Sequence, residues 1–180
     1  MITIENLQQK LSAYGDEVKF FFHAYGLGDL VLDKPVDHVA VKALNRAEYE
    51  KYLEEYASLS KRLSYEVVSE RDLATAELFE PLECGEFGQV TTLEIMEPKP
   101  DAAITTHDMI DHIELFVEDL EYVEKRLEDK GVEFTHQESP NHKAIAVSIN
   151  EWDQEVKFAD KHLVDIANQQ INAKIAHIHE

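Results

Sequence analysis

The dipeptide Asp-His occurs twice in this 180-residue chain, as Asp37-His38 and as Asp111-His112, 74 positions apart. Each copy opens a run in which apolar residues alternate with other residues, and a stretch with helical spacing of apolar residues follows each run. Alternation is typical of a strand with one buried face, and the second pattern is typical of an amphipathic helix. The chain is therefore predicted to use one strand-helix unit twice, with two pseudo-symmetric histidines facing a shared cavity.

The charge balance excludes several classes of function. The chain has 17 Lys and Arg residues against 37 Asp and Glu residues, a formal charge of -20. Such a field repels phosphate backbones and anionic lipids, so we expect no nucleic-acid partner and no membrane partner. The single Cys84 has no second cysteine with which to form an internal disulfide, which fits a reducing compartment. The chain shows no signal-peptide pattern and no apolar run of membrane-spanning length, and these features predict a cytoplasmic protein.

The first half of the chain is predicted to begin with an N-terminal helical extension over residues 1–35. Apolar residues in the range 4–25 have helical spacing, and Gly15 is a candidate break in this helix. A strand over Val36–Lys42 follows, in which His38 lies on the face opposite the alternating valines.

The remainder of the first unit, residues 36–97, is predicted to continue as a helix and three strands. Asn45 is suited to cap the helix with Glu48 at the third helical position, the pattern of a capping box. The apolar stripe of this helix is expected to extend as far as Leu63. Three strand-like runs follow, which gives the order βαβββ.

The second half repeats the same order. A polar connector with two prolines covers residues 98–109, and a second βαβββ unit covers residues 110–159. In this unit Asp119 is suited to begin the helix and Gly131 to end it in the left-handed conformation. An amphipathic helix is predicted over residues 160–180.

Two βαβββ units, each with a histidine on its first strand, resemble the vicinal oxygen chelate superfamily, which includes glyoxalases and extradiol dioxygenases. The resemblance covers about residues 36–159. Within that group, the N-terminal helical region, the run Leu93–Pro98 and the late Val156-Lys157-Phe158 before a helix are similar to the bacterial YecM family. The resemblance implies an α+β fold, a half-open eight-stranded barrel around a cavity with the helices outside.

The resemblance also implies a metal site. In that superfamily the ligands come from the first and last strands of each unit, and the matching residues here are His38, Glu94 and His112. Imidazole and carboxylate groups suit a divalent ion such as Zn, Ni, Mn or Fe. Glu97 is the alternative to Glu94 if the strand register slips by one residue.

The sequence departs from the family pattern at Lys157, which stands where a fourth ligand is expected. Glu155, on the same strand face, is an alternative fourth ligand. Lys157 and the inward-facing Glu114 are candidate catalytic residues, the first to neutralise an anionic substrate or transfer a proton and the second to hold an imidazole in one tautomer. Alternatively, Lys157 pairs with Glu94, Glu114 or Glu155 and fills the metal position.

Three functions remain open. The first is a metal-dependent lyase, isomerase or oxygenase that acts on a small anionic metabolite. The second is a protein that binds a small-molecule ligand in the same cavity without turnover, and the third is a metal-free scaffold in which Lys157 replaces the metal. A monomer is favoured slightly over a homodimer, because one chain carries both units.

The other histidines are predicted to be of less importance. His142, near the start of a strand, is a candidate for the cavity wall, but it follows a proline and an asparagine, which favours exposure to solvent. Residues two apart on a helix point to different sides, so His177 and His179 are not expected to chelate an ion together. No partner is inferred for His23, His107, His136 and His162.

Overall fold

The structure, a computed structural model, describes residues 4–68, 71–98, 110–139, 142–152, 154–166 and 168. The α-helices are α1 Ile4–Ala24, α2 Arg46–Ala57 and α3 Leu120–Lys130. The strands are β1 Val36–Lys42, β2 Ser60–Val68, β3 Arg71–Glu83, β4 Gln89–Met96, β5 Ile110–Phe116, β6 Thr135–Ser139, β7 His142–Ser148 and β8 Glu155–Ala159. Within the described part of the chain, no helix is long and apolar enough to cross a membrane.

Two of the predicted segments lie mostly outside the described residues. The connector predicted over residues 98–109 is described only at residue 98. Of the helix predicted over residues 160–180, the structure describes a helical turn at 163–166 and residue 168. His107, His177 and His179 also lie outside the described residues.

α1 is one continuous helix, and the expected break at Gly15 does not occur. Its buried side chains follow helical spacing and include Leu7, Leu11, Val18 and Phe22. A Cβ atom at Gly15 would lie 2.7 Å from the carbonyl oxygen of Cys84. Glycine at position 15 therefore permits α1 to approach Cys84, the residue after β3, closely. This packing contact accounts for a helix that continues through Gly15.

The predicted caps of α2 and α3 are present. The side chain of Asn45 accepts a hydrogen bond of 3.0 Å from the backbone N–H of Glu48, and that of Asp119 accepts one of 2.9 Å from the N–H of Tyr122. Gly131 ends α3 with φ 67°, in the left-handed region. The side chains of Asn45 and Asp119 satisfy backbone N–H groups that the start of a helix leaves unpaired.

α2 ends earlier than its apolar pattern predicts. The helix stops at Ala57, and Leu63 lies on β2, where it pairs with Ala76 of β3. The hydroxyl of Ser60 donates a hydrogen bond of 2.6 Å to the carbonyl oxygen of Tyr56 in the last turn. The extension to Leu63 was wrong because a leucine on a buried strand face satisfies the same apolar pattern as a leucine on a helix.

The eight strands form one sheet in the order β2-β3-β4-β1-β5-β8-β7-β6. β1 pairs in parallel with β4, β5 pairs in parallel with β8, and the two first strands β1 and β5 pair antiparallel at the centre. The order is the same on each side of that central pair. The sheet is not closed, and this α+β architecture of two βαβββ units confirms the predicted fold.

The two faces of the sheet carry different side chains. One face packs against the helices, and its fully buried side chains include Val39, Val41, Leu93, Ile95 and Ile113. The other face carries most of the polar side chains of the central strands. Three of these, His38, His112 and Glu114, are also almost completely buried.

Candidate metal centre

Asp37 is the extra residue of a β-bulge in β1. His38 lies opposite Glu114 and Val36 lies opposite Leu115, which leaves Asp37 without an opposing residue on β5. A bulge changes the direction of the side chain at the extra residue. The carboxylate of Asp37 thereby lies 2.9 Å from Nδ1 of the neighbouring His38, although adjacent residues of a regular strand point to opposite faces.

Asp111 is the extra residue of a second bulge, in β5. Ala40 lies opposite His112 and Val41 lies opposite Ile110, so Asp111 has no opposing residue on β1. Its carboxylate lies 3.0 Å from Nδ1 of His112. The repeated Asp-His dipeptide therefore forms the same local structure twice: a β-bulge in which the aspartate side chain contacts the ring of the next histidine.

The contact between each aspartate and the next histidine fixes the tautomer of both histidines. Burial alone would raise the pKa of Asp37 and of Asp111, but hydrogen bonds from the adjacent histidines and other polar neighbours hold both pKa values below their ordinary range. An ionised carboxylate can only accept hydrogen bonds. His38 and His112 therefore each carry a proton on Nδ1, and Nε2 is the atom available to a metal ion when the ring is neutral.

The two histidines converge with Glu114. The potential ligand atoms of His38, His112 and Glu114 all lie within 4.8 Å of one another. The ring centroids of the histidines are 5.4 Å apart and the ring planes are inclined at 79°. Relative exposures of these residues are 2%, 2% and 1%, respectively. The structure thus brings the two predicted metal ligands together with a carboxylate that the sequence analysis assigned to an orienting or catalytic role.

Glu94 also lies close to this cluster. Its Oε2 atom is 4.0 Å from Nε2 of His112, and its side chain is 13% exposed. Glu97, the alternative ligand, instead accepts a hydrogen bond of 3.2 Å from the backbone N–H of Asp72 and lies 3.3 Å from Arg46. The strand register therefore presents Glu94, not Glu97, to the histidines.

Lys157 lies beside the cluster on β8. It is opposite Glu114 in the strand register, and Glu155 is opposite His112. The Nζ atom of Lys157 lies 3.8 Å from Oε2 of Glu155, which also accepts a hydrogen bond of 3.3 Å from Gln137. Among the three carboxylates considered as partners of Lys157, Glu155 is the one at ion-pair distance.

The charges around the two histidines give them different pKa values. Burial lowers the pKa of His38, but the negative charges of Glu114, Asp37 and Glu94 outweigh burial and raise it to about 9. Burial and the positive charge of Lys157 lower the pKa of His112. In the absence of a metal ion, His38 is therefore a cation at neutral pH and His112 is neutral.

Two further histidines reach the site, His142, for which the sequence analysis favoured exposure to solvent over the cavity wall, and His162, for which it inferred no partner. His142 is partly buried and not solvent-exposed as expected, and its Nε2 atom lies 3.1 Å from Oε1 of Glu114. His162 lies 2.5 Å from Asp37 and stacks on the ring of Phe116 at a centroid distance of 4.2 Å. For His142, the position near the start of a strand was the signal for the cavity wall, whereas no local pattern indicated the contact of His162.

Solved structures of other proteins have a similar fold. A structure described as Structural Genomics, Protein EC4020, is 16% identical, with a TM-score of 0.73 over 92% of this chain and 91% of that chain. A methylmalonyl-CoA epimerase in complex with methylmalonyl-CoA and NH4+ is 16% identical, with a TM-score of 0.50 over 70% and 93% of the two chains. A variant of the Streptomyces coelicolor epimerase bound to 2-nitronate-propionyl-CoA gives the same four values. These structures share the fold of this chain.

A closer assignment comes from the sequence. The YecM protein family matches residues 3–179. The chain therefore belongs to the YecM family. No curated protein matches the chain in sequence.

Proposed function

We propose that this protein binds one divalent metal ion, of Zn, Ni, Mn or Fe, through His38, His112 and Glu114, with Glu94 as a further ligand. The observation that carries the proposal is the convergence of the first three side chains, whose potential ligand atoms lie within 4.8 Å of one another in a nearly solvent-free position.

The donor set fits such an ion. Two imidazoles and a carboxylate are ligands that divalent transition metals accept. The Nδ1–H groups of His38 and His112 are held by aspartates, which is the outer-shell arrangement that fixes metal-binding histidines. Five carboxylates lie at or beside the cluster, against three cations, protonated His38, Lys42 and Lys157; the carboxylates are Asp37, Asp111, Glu114, Glu94 and Glu155. A metal cation would compensate the excess of negative charge.

We propose that the site acts on a small anionic metabolite, as a lyase, isomerase or oxygenase. A bound divalent ion supplies a Lewis acid for two neighbouring oxygens of a ligand. The residues of the chain then have separate roles. Lys157 is 13% exposed and neutralises an anionic group of the ligand. His142 holds Glu114 through the contact of 3.1 Å.

The ion pair of 3.8 Å between Lys157 and Glu155 is one of the pairs that a metal-free scaffold would also show, so this distance does not separate the two functions. The ion pair with Glu155 leaves Glu114 to the histidines. The metal content of the protein separates the two functions.

The proposal is tested by the metal content of the protein purified without a metal-affinity tag, measured by inductively coupled plasma mass spectrometry. We expect about one equivalent of a transition metal in the wild-type protein, and its loss in both His38→Ala and His112→Ala. His136→Ala is the matched control, since His136 is on the surface of β6 and pairs with Glu124. Wild-type protein that remains metal-free after incubation with Zn, Ni, Mn and Fe(II) would contradict the proposal. Retention of a small ligand after complete chelation would instead support a binding protein without metal-dependent turnover.

A further inference from the structure

The carboxylate of Asp37 joins the metal site to the segment that follows β8. Its Oδ2 atom lies 2.9 Å from Nδ1 of His38 and accepts a hydrogen bond of 3.0 Å from the backbone N–H of Leu163. Its Oδ1 atom lies 2.5 Å from Nδ1 of His162. The side chain of Asp37 is only 5% exposed. One buried carboxylate therefore accepts hydrogen bonds from one metal-site histidine and from two groups of residues 160–166.

The equivalent aspartate of the second unit is not connected in this way. The side chain of Asp111 is 25% exposed, and besides His112 it has Lys42 at 3.6 Å. Lys42 is a partly exposed, flexible point charge at the end of β1, whereas Asp37 is fixed by ring nitrogens and a backbone amide. The connection to the segment after β8 thus belongs to His38 alone.

His162 is itself fixed in position by packing. Its ring lies on the ring of Phe116 at a centroid distance of 4.2 Å and an interplanar angle of 17°. Phe116 belongs to β5, the strand that carries His112 and Glu114. The ring of His162 is therefore held between β5 and the bulge of β1, at the central strand pair of the sheet.

We propose that His162 is a positioning residue for His38, and that Asp37 couples metal binding to the docking of residues 160–166. This inference rests on the proposed function, because it assigns a second element to the same metal site. Removal of His162 leaves the Oδ1 atom of Asp37 without this partner and the carboxylate held by the amide of Leu163 and the ring of His38, which loosens the ring of a metal ligand. Loss of outer-shell partners of this kind typically weakens metal affinity about 10- to 100-fold.

Coupling of this kind is reciprocal. If docking of residues 160–166 strengthens metal binding, then a bound metal strengthens docking by the same factor. The amide of Leu163 reports docking directly, since its N–H donates a hydrogen bond to Oδ2 of Asp37. Metal binding is therefore expected to slow the hydrogen exchange of this amide. The factor of this slowing should not exceed the factor by which His162→Ala weakens the metal affinity.

The first test compares Zn²⁺ affinities by calorimetry in the presence of a competing chelator. We expect His162→Ala to bind Zn²⁺ about tenfold or more weakly than wild type, and His136→Ala to bind it as wild type does. Because His162 is 45% exposed, its replacement is expected to leave the protein folded. Equal affinities of His162→Ala and wild type would overturn the inference while leaving the proposed function intact.

The second test uses nuclear magnetic resonance and separates the two proposals. In the metal-free protein, we expect exchange of the His38 Nδ1 proton with water to be faster in His162→Ala than in wild type and unchanged in Asp111→Asn, which alters only the equivalent aspartate. This readout does not require a metal, so it tests the positioning role even if no Zn²⁺ binds and the proposed function fails. An unchanged exchange rate in His162→Ala, or a Leu163 amide that exchanges equally fast with and without bound Zn²⁺, would overturn the inference.

Discussion

Glu114 occupies in the second unit the position that Ala40 occupies in the first. The antiparallel register shows this equivalence, because His38 lies opposite Glu114 and Ala40 lies opposite His112. The last strands follow the same rule, since Ala40 pairs with Glu94 and Glu114 pairs with Lys157. The second unit thus carries its carboxylate on its first strand, and a lysine stands where the first unit has Glu94.

This exchange explains the departure at Lys157. A fourth ligand was expected on the last strand of the second unit, and a carboxylate is present on the neighbouring strand at the same level of the sheet, as Glu114. Its side chain contacts His38 and His142, at 3.7 Å and 3.1 Å. Glu114 therefore offers a ligand in place of Lys157, whose positive charge lies beside the centre.

Replacement of the two central glutamates should distinguish their roles. Glu114 is almost completely buried among the histidines, whereas Glu94 is closest to His112 at 4.0 Å. Loss of an outer-shell partner typically weakens metal affinity about 10- to 100-fold, and loss of a ligand is expected to cost at least as much. We therefore expect Glu114→Gln to weaken Zn²⁺ binding by about 100-fold or more and Glu94→Gln by about tenfold. Calorimetry measures both. The exposed Glu138, which pairs with Lys143, provides the control Glu138→Gln. A larger loss in Glu94→Gln would favour the ligand set His38, Glu94 and His112.

Lys157 should affect ligand binding more than metal binding. Its charge lies beside the proposed site and is not a metal ligand, so Lys157→Gln should leave the Zn²⁺ content unchanged. Oxalate, a small dianion with neighbouring oxygens, is a suitable probe. Its affinity for the Zn²⁺-loaded protein should fall about tenfold, because a partly buried charge-assisted contact typically contributes more than 1 kcal/mol. Equal oxalate affinities of Lys157→Gln and the control Lys143→Gln would show that Lys157 does not contact the ligand.

The two buried histidines should titrate differently in metal-free protein. The pKa of His38 is raised from 6.5 to about 9, and that of His112 is lowered. The charged form of His38 therefore stabilises the fold below about pH 6.5, and this contribution is lost as the pH rises through about 9. Nuclear magnetic resonance titration of the ring signals measures both values. Glu114→Gln should lower the pKa of His38, and a His38 that titrates near 6.5 in wild-type protein would contradict the charge distribution described here.

Gly15 should be required for the packing of α1. A Cβ atom at this position would lie 2.7 Å from the carbonyl oxygen of Cys84, and a backbone atom cannot rotate away as a side chain can. Overpacking of this kind costs about 1–3 kcal/mol, which exceeds the gain of about 1 kcal/mol in helix propensity. We expect Gly15→Ala to lower the free energy of unfolding in urea, whereas the exposed Gln9→Ala should change it by less than about 0.5 kcal/mol. A stabilised Gly15→Ala protein would mean that α1 and Cys84 are farther apart.

Local patterns predicted the architecture and the two histidines. The repeated Asp-His dipeptide and the alternation after it predicted on which face of the sheet His38 and His112 lie, because side-chain direction in a strand follows from position alone. The bulges at Asp37 and Asp111 could not be predicted in this way, since a bulge depends on the register between two strands that are distant in sequence.

The remaining parts of the site depend on contacts between distant segments. His162 meets Asp37 across 125 positions, and His142 meets Glu114 across 28. Nothing in the residues beside either histidine encodes the partner. The choice between Glu94 and Glu114 likewise depends on distances across several strands, which alternation alone does not provide.

The most direct test of the metal centre is anomalous diffraction from crystals of the metal-loaded protein, recorded on both sides of the absorption edge of the bound metal. We expect one strong anomalous peak between Nε2 of His112, the ring of His38 and the carboxylate of Glu114. A fully loaded protein without a peak at this position, or with its peak in the surface pocket lined by Glu118, Asp119 and Asp160, would contradict metal binding by these three residues.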